Sequence, residues 1–216
     1  MKFVIFHGTY TSKNTNWYDT FDAELTAVGH EVIRPQFPID SFDEITALGE
    51  ANAKELQNRK QSLTSWLDHY EKEVLPYCDE QTIFIAHSLG PVFTLHAMEK
   101  FPIKIKGAIF LAPFLDALPG TSWQFGLANS TFYSTEFNAD SLRDCIPFSY
   151  VLYSTNDPYV PSTSSLKFAQ LLDSTVIPVV DGHHLGGKYS RLPLVEELAK
   201  SIVGYEKSTS SEYIRS

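Results

Sequence analysis

The 216-residue chain has few cysteines, no long apolar run and no excess of positive charge, and each shortage removes a class of protein. Its 2 cysteines, Cys78 and Cys145, cannot build a disulfide framework, and neither has a neighbour at metal-ligand spacing. They read as buried or idle thiols of a reducing compartment. The apolar stretch Met1-Lys2-Phe3-Val4-Ile5-Phe6 turns polar from His7 onward. It is too short for a signal peptide or a membrane span, so a cytoplasmic protein without a membrane span is expected. A net charge of −9 argues against a nucleic-acid partner, which calls for a basic face. There is no G-x-G-x-x-G, Walker or H-E-x-x-H pattern and no internal repeat, and no cofactor is implied.

What is present suits one domain with a large core. Phe3 to Phe6 is a continuous apolar run of the kind a fully buried parallel strand shows. Trp17, Phe21, Leu25 and Val28 then fall at helical spacing, with Gly29 as the stop. A short strand follows at Val32-Ile33-Arg34-Pro35, and a long helical region, or two helices, runs from Ile45 to Val74 and stops at Pro76. Strands are expected at 83–86, 107–112, 148–154 and 174–180, the last at a sheet edge because it holds Pro178. Helices are expected after residue 88, after a Ser162 cap and from Leu194. This alternation predicts an α/β three-layer sandwich of about six mostly parallel strands with helices on both faces, in one domain over 1–205 with a polar, flexible tail over 206–216. Segment 113–147 interrupts the alternation and is rich in aromatics, which suits a lid or a pocket wall.

The chemistry centres on Ala86-His87-Ser88-Leu89-Gly90. A β-branched strand ends in a small residue, then come Ser88 and Gly90, then a helix. A serine at the tip of such a turn must take a strained backbone conformation to aim its hydroxyl out of the sheet, and small residues on either side let strand and helix approach. The same turn leaves the Leu89 N–H at a helix start, where it can donate to a developing oxyanion. This is the pattern of a nucleophile elbow.

Catalytic groups in such sheets gather at the carboxyl ends of the strands. After the fifth strand comes Asn156-Asp157-Pro158-Tyr159-Val160, and after the sixth Asp181-Gly182-His183-His184. The chain order is therefore serine, acid, histidine, with either His183 or His184 as the base.

These features resemble the α/β-hydrolases, and among them the small serine hydrolases of the retinoblastoma-binding-protein-9 and YdeN-like family. The matching residues are His7-Gly8 with Asn16-Trp17, His87-Ser88-Leu89-Gly90, Asn156 to Val160, and Gly182-His183. The resemblance implies Ser88 as nucleophile, Asp157 as the group that orients the base, and His183, which directly follows a glycine, as the base itself. It also implies an oxyanion hole from the N–H groups of Leu89 and Thr9. Ala86 departs from the usual first glycine of G-x-S-x-G, a change of one methyl.

Other residues compete for these roles. Asp116 follows the fourth strand and is an alternative acid, whereas Asp181 sits too close to His183 and reads as a turn former. His7 reads as structural. A metal held by His7, Asp181, His183 and His184 is disfavoured because adjacent histidines point apart. The substrate pocket is expected to involve Tyr10, His87, Phe114, Trp123, Phe125, Tyr159 and His184, and the partner to be a small acyl substrate: an ester, amide or thioester. The competing reading is a slow or inactive hydrolase-fold module that acts by binding a protein or small molecule.

Overall fold

A computed structural model of the chain describes residues 1–209 other than 16 and 188, with side chains to 203. Asn16 and most of the expected tail therefore lie outside the described residues. The strands are β1 (Lys2–Phe6), β2 (Glu31–Ile33), β3 (Thr82–His87), β4 (Gly107–Leu111), β5 (Ser149–Ser154) and β6 (Thr175–Val179). They form one 6-stranded sheet in the order β2-β1-β3-β4-β5-β6, and every pairing is parallel. Parallel neighbours need crossover connections, which the helices supply: α1 (Tyr18–Ala27), α2 (Phe42–Leu48), α3 (Glu50–Lys54), α4 (Leu63–Glu73), α5 (Leu89–Lys100), α6 (Trp123–Asn129), α7 (Ala139–Cys145) and α8 (Ser162–Leu172), while α9 (Pro193–Thr209) follows the last strand.

Alternation along each central strand divides the core in two. Val4, Phe6, Phe84, Ala86, Ala108, Phe110 and Val151 face one layer, where Trp66 and Tyr70 of α4, Phe93 of α5 and Phe168 of α8 pack. Phe3, Ile5, Ile83, Ile85, Ile109, Leu111 and Leu152 face the other, against Tyr18, Phe21 and Leu25 of α1 and Val195, Ala199 and Ile202 of α9. Both faces are covered, which is why the strands read as unbroken apolar runs. Strand β6 lies at an edge, as Pro178 requires.

The expected helical region 45–74 is three helices. Gly49, at φ 76, ends α2 and starts α3, and residues 55–62 carry the chain to Ser62, whose hydroxyl caps α4. Pro76 lies in a 3₁₀ turn at Leu75–Tyr77. Ser162 is the first residue of α8 and not its cap; Pro161 occupies the cap position. Segment 113–147 divides by role. Phe114 and Phe132 are buried in the core, while α6 lies near the sheet's carboxyl edge with Phe125 exposed. No helix of the described residues is long and apolar enough to cross a membrane.

Helix α5 starts against the end of β1. A Cβ placed on Gly90 would stand 2.8 Å from the Phe6 carbonyl oxygen and 3.2 Å from that of His7, both backbone atoms that cannot swing aside. Gly90→Ala is therefore expected to destabilise the fold by about 1–3 kcal/mol, the usual range for overpacking. Urea unfolding measures it; an unchanged midpoint would show that the helix start has room to shift.

Candidate functional site

The elbow forms as the spacing predicts. Ser88 has φ 59 and ψ −103, between the last residue of β3 and the first of α5. Such a left-handed conformation costs a non-glycine residue about 1–3 kcal/mol and persists only where the surroundings enforce it. Here the Ser88 N–H donates to the Leu111 carbonyl at 2.9 Å, continuing the β3–β4 ladder past its end. Gly8 lets the β1 turn close over the elbow, since a Cβ there would lie 3.0 Å from that of Ser88.

The Ser88 hydroxyl lies 3.2 Å from His184 Nε2, and His184 Nδ1 lies 2.9 Å from Asp157 Oδ2. A carboxylate only accepts, so Nδ1 carries the proton and Nε2 is left to accept from the serine hydroxyl. The Asp157 side chain is 2% exposed and that of His184 19%. The other Asp157 oxygen accepts the N–H groups of Tyr159 at 2.8 Å and Val160 at 3.0 Å. Burial raises the Asp157 pKa, but the His184 hydrogen bond and charge and these two N–H groups outweigh it and hold the carboxyl below its usual value.

The histidine facing Ser88 is thus His184, and the expected choice of His183 is corrected. The reason is the turn itself. Asp181, His183 and Leu185 all have positive φ, at 53, 48 and 53, and the turn they form brings the His184 imidazole to Ser88. The His183 N–H donates to Asn156 Oδ1 at 2.9 Å, while its ring sits beside that of Tyr159, with centroids 6.4 Å apart. Asp181 is indeed in a turn and accepts from Asn156 Nδ2 at 3.3 Å. The alternative acid Asp116 is paired with Lys167 at 2.6 Å and is not a partner of either histidine. Among the described residues no group of three or more His, Cys, Asp or Glu is placed to hold a metal ion.

The β1 turn is held from the insertion. Thr9 Oγ1 donates to Asn129 Oδ1 of α6 at 2.7 Å, and Tyr10 Oη to the Gln124 carbonyl at 3.1 Å. The Tyr10 N–H donates to Oε1 of the fully buried Gln61 at 3.1 Å. His7 is structural: its Nδ1–H donates to the Gly8 carbonyl at 2.9 Å and its Nε2 accepts the Phe37 N–H at 3.1 Å. The Leu89 N–H is the first of α5 and has no intrahelical acceptor. Asn129 and Gln61 had no signal in the sequence, being 120 and 51 residues from the groups they hold.

A cavity of about 490 Å³ opens onto Ser88. Of the expected pocket residues, His87, Phe114, Phe125, Tyr159 and His184 line it, together with Thr9, Leu118, Asn129 and Val160. Tyr10 and Trp123 do not. Tyr10 turns its ring into an edge-on cluster with Phe42 and Phe125, and Trp123 begins α6 outside the cavity.

The model of the serine hydrolase family matches residues 42–200, and the chain belongs to that family. Solved structures place its fold among the α/β-hydrolases. The ydeN gene product of B. subtilis is 24% identical with a TM-score of 0.75, over 94% of this chain and 98% of that one. A YdeN-like hydrolase from Pectobacterium atrosepticum is 17% identical with a TM-score of 0.58, over 93% and 88%. An extracellular α/β-hydrolase from a Paenibacillus species is 15% identical with a TM-score of 0.60, over 94% and 98%. A search of curated proteins finds no match.

Burial lowers the pKa of His7 from 6.5 to about 4, and burial with the nearby His184 lowers that of His87 from 6.5 to about 3. In the unfolded chain both take up a proton near 6.5, but in the folded chain only near those lower values, so acid favours unfolding. The stability these groups contribute is complete above pH 6.5 and is lost as pH falls toward 4 and 3. Urea titrations across this window are expected to show a falling unfolding free energy, with a shallower slope in His87→Gln; an equal slope would mean that His87 titrates alike in both states.

Proposed function

We propose that the chain cleaves a small, uncharged ester, amide or thioester by acyl transfer through Ser88, with His184 as base and Asp157 as its orienting partner. The observation that carries this reading is the hydrogen-bonded chain from Ser88 Oγ through His184 to Asp157 at the wall of a cavity. In the first step His184 Nε2 takes the hydroxyl proton as Ser88 Oγ attacks the substrate carbonyl. In this reading the oxyanion that forms accepts from the N–H groups of Leu89, the first of α5, and of Thr9, in the turn after β1. Asp157 stabilises the imidazolium, which then protonates the leaving group as the carbonyl reforms. Water, deprotonated by His184, attacks the acyl-serine, and return of the proton to Ser88 releases the acid. No step calls for a cofactor.

The cavity favours neutral substrates. Among the described residues no Asp, Glu, Lys or Arg lines it, and Phe114, Leu118, Phe125 and Val160 give it an apolar wall. Its volume lies in the range that takes a small organic ligand. Among the described residues, a charged group buried there would lose hydration without gaining a partner of opposite formal charge. Segment 113–147 acts in this reading as the pocket wall, and the free thiols of Cys78 and Cys145 suit a reducing, cytoplasmic setting.

Intact-mass labelling with a fluorophosphonate tests the nucleophile without presuming a substrate. Wild type and His183→Ala are expected to take up one adduct, Ser88→Ala none, and His184→Ala to react about 100-fold or more slowly, as loss of a general base implies. A folded wild type that takes no label would instead favour a binding module, and normal labelling of His184→Ala would return the role of base to His183. A panel of p-nitrophenyl esters tests the pocket. Neutral acyl chains are expected to exceed carboxylate- or ammonium-bearing ones of equal length by roughly tenfold or more in kcat/KM; parity between them would overturn the neutral-substrate reading.

A further inference from the structure

His87, directly before the nucleophile, is fully engaged below the site. Its side chain is buried, at 4% residue exposure, and its Nε2 lies 2.8 Å from the backbone carbonyl oxygen of His184. A carbonyl only accepts, so Nε2 carries the proton, and Nδ1 is left to accept from the hydroxyl of the buried Tyr18 at 3.4 Å. The next carbonyl in the loop, that of Leu185, accepts from the indole N–H of the buried Trp17 at 3.0 Å. Two consecutive peptide oxygens of the histidine turn are thus held from beneath by side chains, one from β3 and one from the start of α1.

From this arrangement we infer that His87 is a positioning residue for the reaction: its Nε2–H fixes the His184 peptide, and through it the reach of the His184 imidazole toward Ser88. It rests on the acyl-transfer reading above. The turn it holds has positive φ at His183 and Leu185, conformations that relax readily once a restraining bond is lost. Because His87 is also the residue preceding Ser88, a single rigid unit sets both the nucleophile and the backbone of its base. Its ring stands 4.8 Å, centroid to centroid, from that of His184. A proton on His87 would set a second cation against the imidazolium that must form there; burial and the neighbouring His184 keep His87 neutral. The other groups facing this pair are Asp157 and Ser88, both within hydrogen-bond reach of His184, the Tyr159 ring, 5.2 Å from that of His184, and the Tyr18 hydroxyl.

The test compares His87→Leu, His87→Gln and His87→Asn with wild type, by kcat and KM on a neutral p-nitrophenyl ester and by fluorophosphonate labelling rate, each per folded molecule. Leucine removes the donor, glutamine carries an amide N–H to about the position of Nε2, and asparagine is polar but too short. In His87→Leu, kcat and labelling rate are expected to fall together about 10- to 100-fold with KM nearly unchanged, the scale of a small misplacement of a catalytic group. His87→Gln should recover most of that loss and His87→Asn little of it. A folded His87→Leu with wild-type kcat would overturn the inference. If His87→Leu does not fold, equal kcat in the Gln and Asn variants would overturn it, since a merely structural role makes no use of the donor's reach. A wild type that takes no label at all would sink the acyl-transfer reading, an outcome distinct from either of these.

Discussion

The left-handed backbone at Ser88 is the constraint on which the site depends, and it can be met only where three segments approach within contact distance. Strands β1 and β3 run in register, with Phe6 opposite Ala86, so the turn after β1 and the elbow after β3 leave the sheet at the same level. Gly8 lets that turn close over Ser88, and Gly90 lets α5 begin against the Phe6 carbonyl. A side chain at either position would push the end of β1 and its turn away from the elbow and the start of α5. Ala86 can carry its methyl because its side chain belongs to the core layer that also holds Phe6 and Val92.

The loops around the elbow are held by side chains where no strand partner exists. His7 ties the β1 turn to Phe37, Gln61 and Asn129 tie Tyr10 and Thr9, Asn156 holds the His183 N–H, and His87 and Trp17 hold the His184 and Leu185 carbonyls. Each such bond contributes about 0.5–1.5 kcal/mol net, but leaving a buried partner unsatisfied costs more, so the loops gain definition beyond their own stability. Neutral imidazoles suit this work because one ring supplies both a donor and an acceptor, and burial keeps His7 and His87 in that form.

Much of this was legible in the sequence. The strand runs, their order and the residues at their carboxyl ends follow from periodicity and turn chemistry, which are local. The choice between His183 and His184 was not, because it depends on positive φ at Asp181, His183 and Leu185, none of them glycine, and nothing in their side chains announces that conformation. A glycine before His183 suggested the wrong neighbour. The break at Gly49, which makes a third helix where the apolar pattern suggested one or two, shows only in its positive φ. Asn129 and Gln61 escaped notice because a polar residue in a loop or a short helix looks solvated until its distant partner is known. Of the aromatics of 113–147, Phe114 and Phe125 line the cavity and Trp123 does not, and pattern alone could not separate Phe125, at the cavity, from Phe132, in the core.

Strain in this chain is not spread evenly. Among the described residues, the non-glycine positions with positive φ are Tyr10, Ser88, Ala112, Asp181, His183 and Leu185, all just beyond the carboxyl ends of strands, and Asp173, which caps α8. A parallel sheet directs its strands out at one edge, where the backbone must turn sharply to enter a helix or loop, and side chains there can be aimed over the edge only by unusual dihedrals. Hydrogen bonds from the buried side chains of Gln61, His87 and Trp17 fall at the same edge, on Tyr10, His184 and Leu185, and the exposed Asn156 holds His183. Strain and restraint are therefore two aspects of one feature: the turns hold conformations they would not adopt alone, and the core supplies the donors and acceptors that keep them there. In the proposed acyl transfer, a site assembled this way would need little reorganisation of its groups as charge develops.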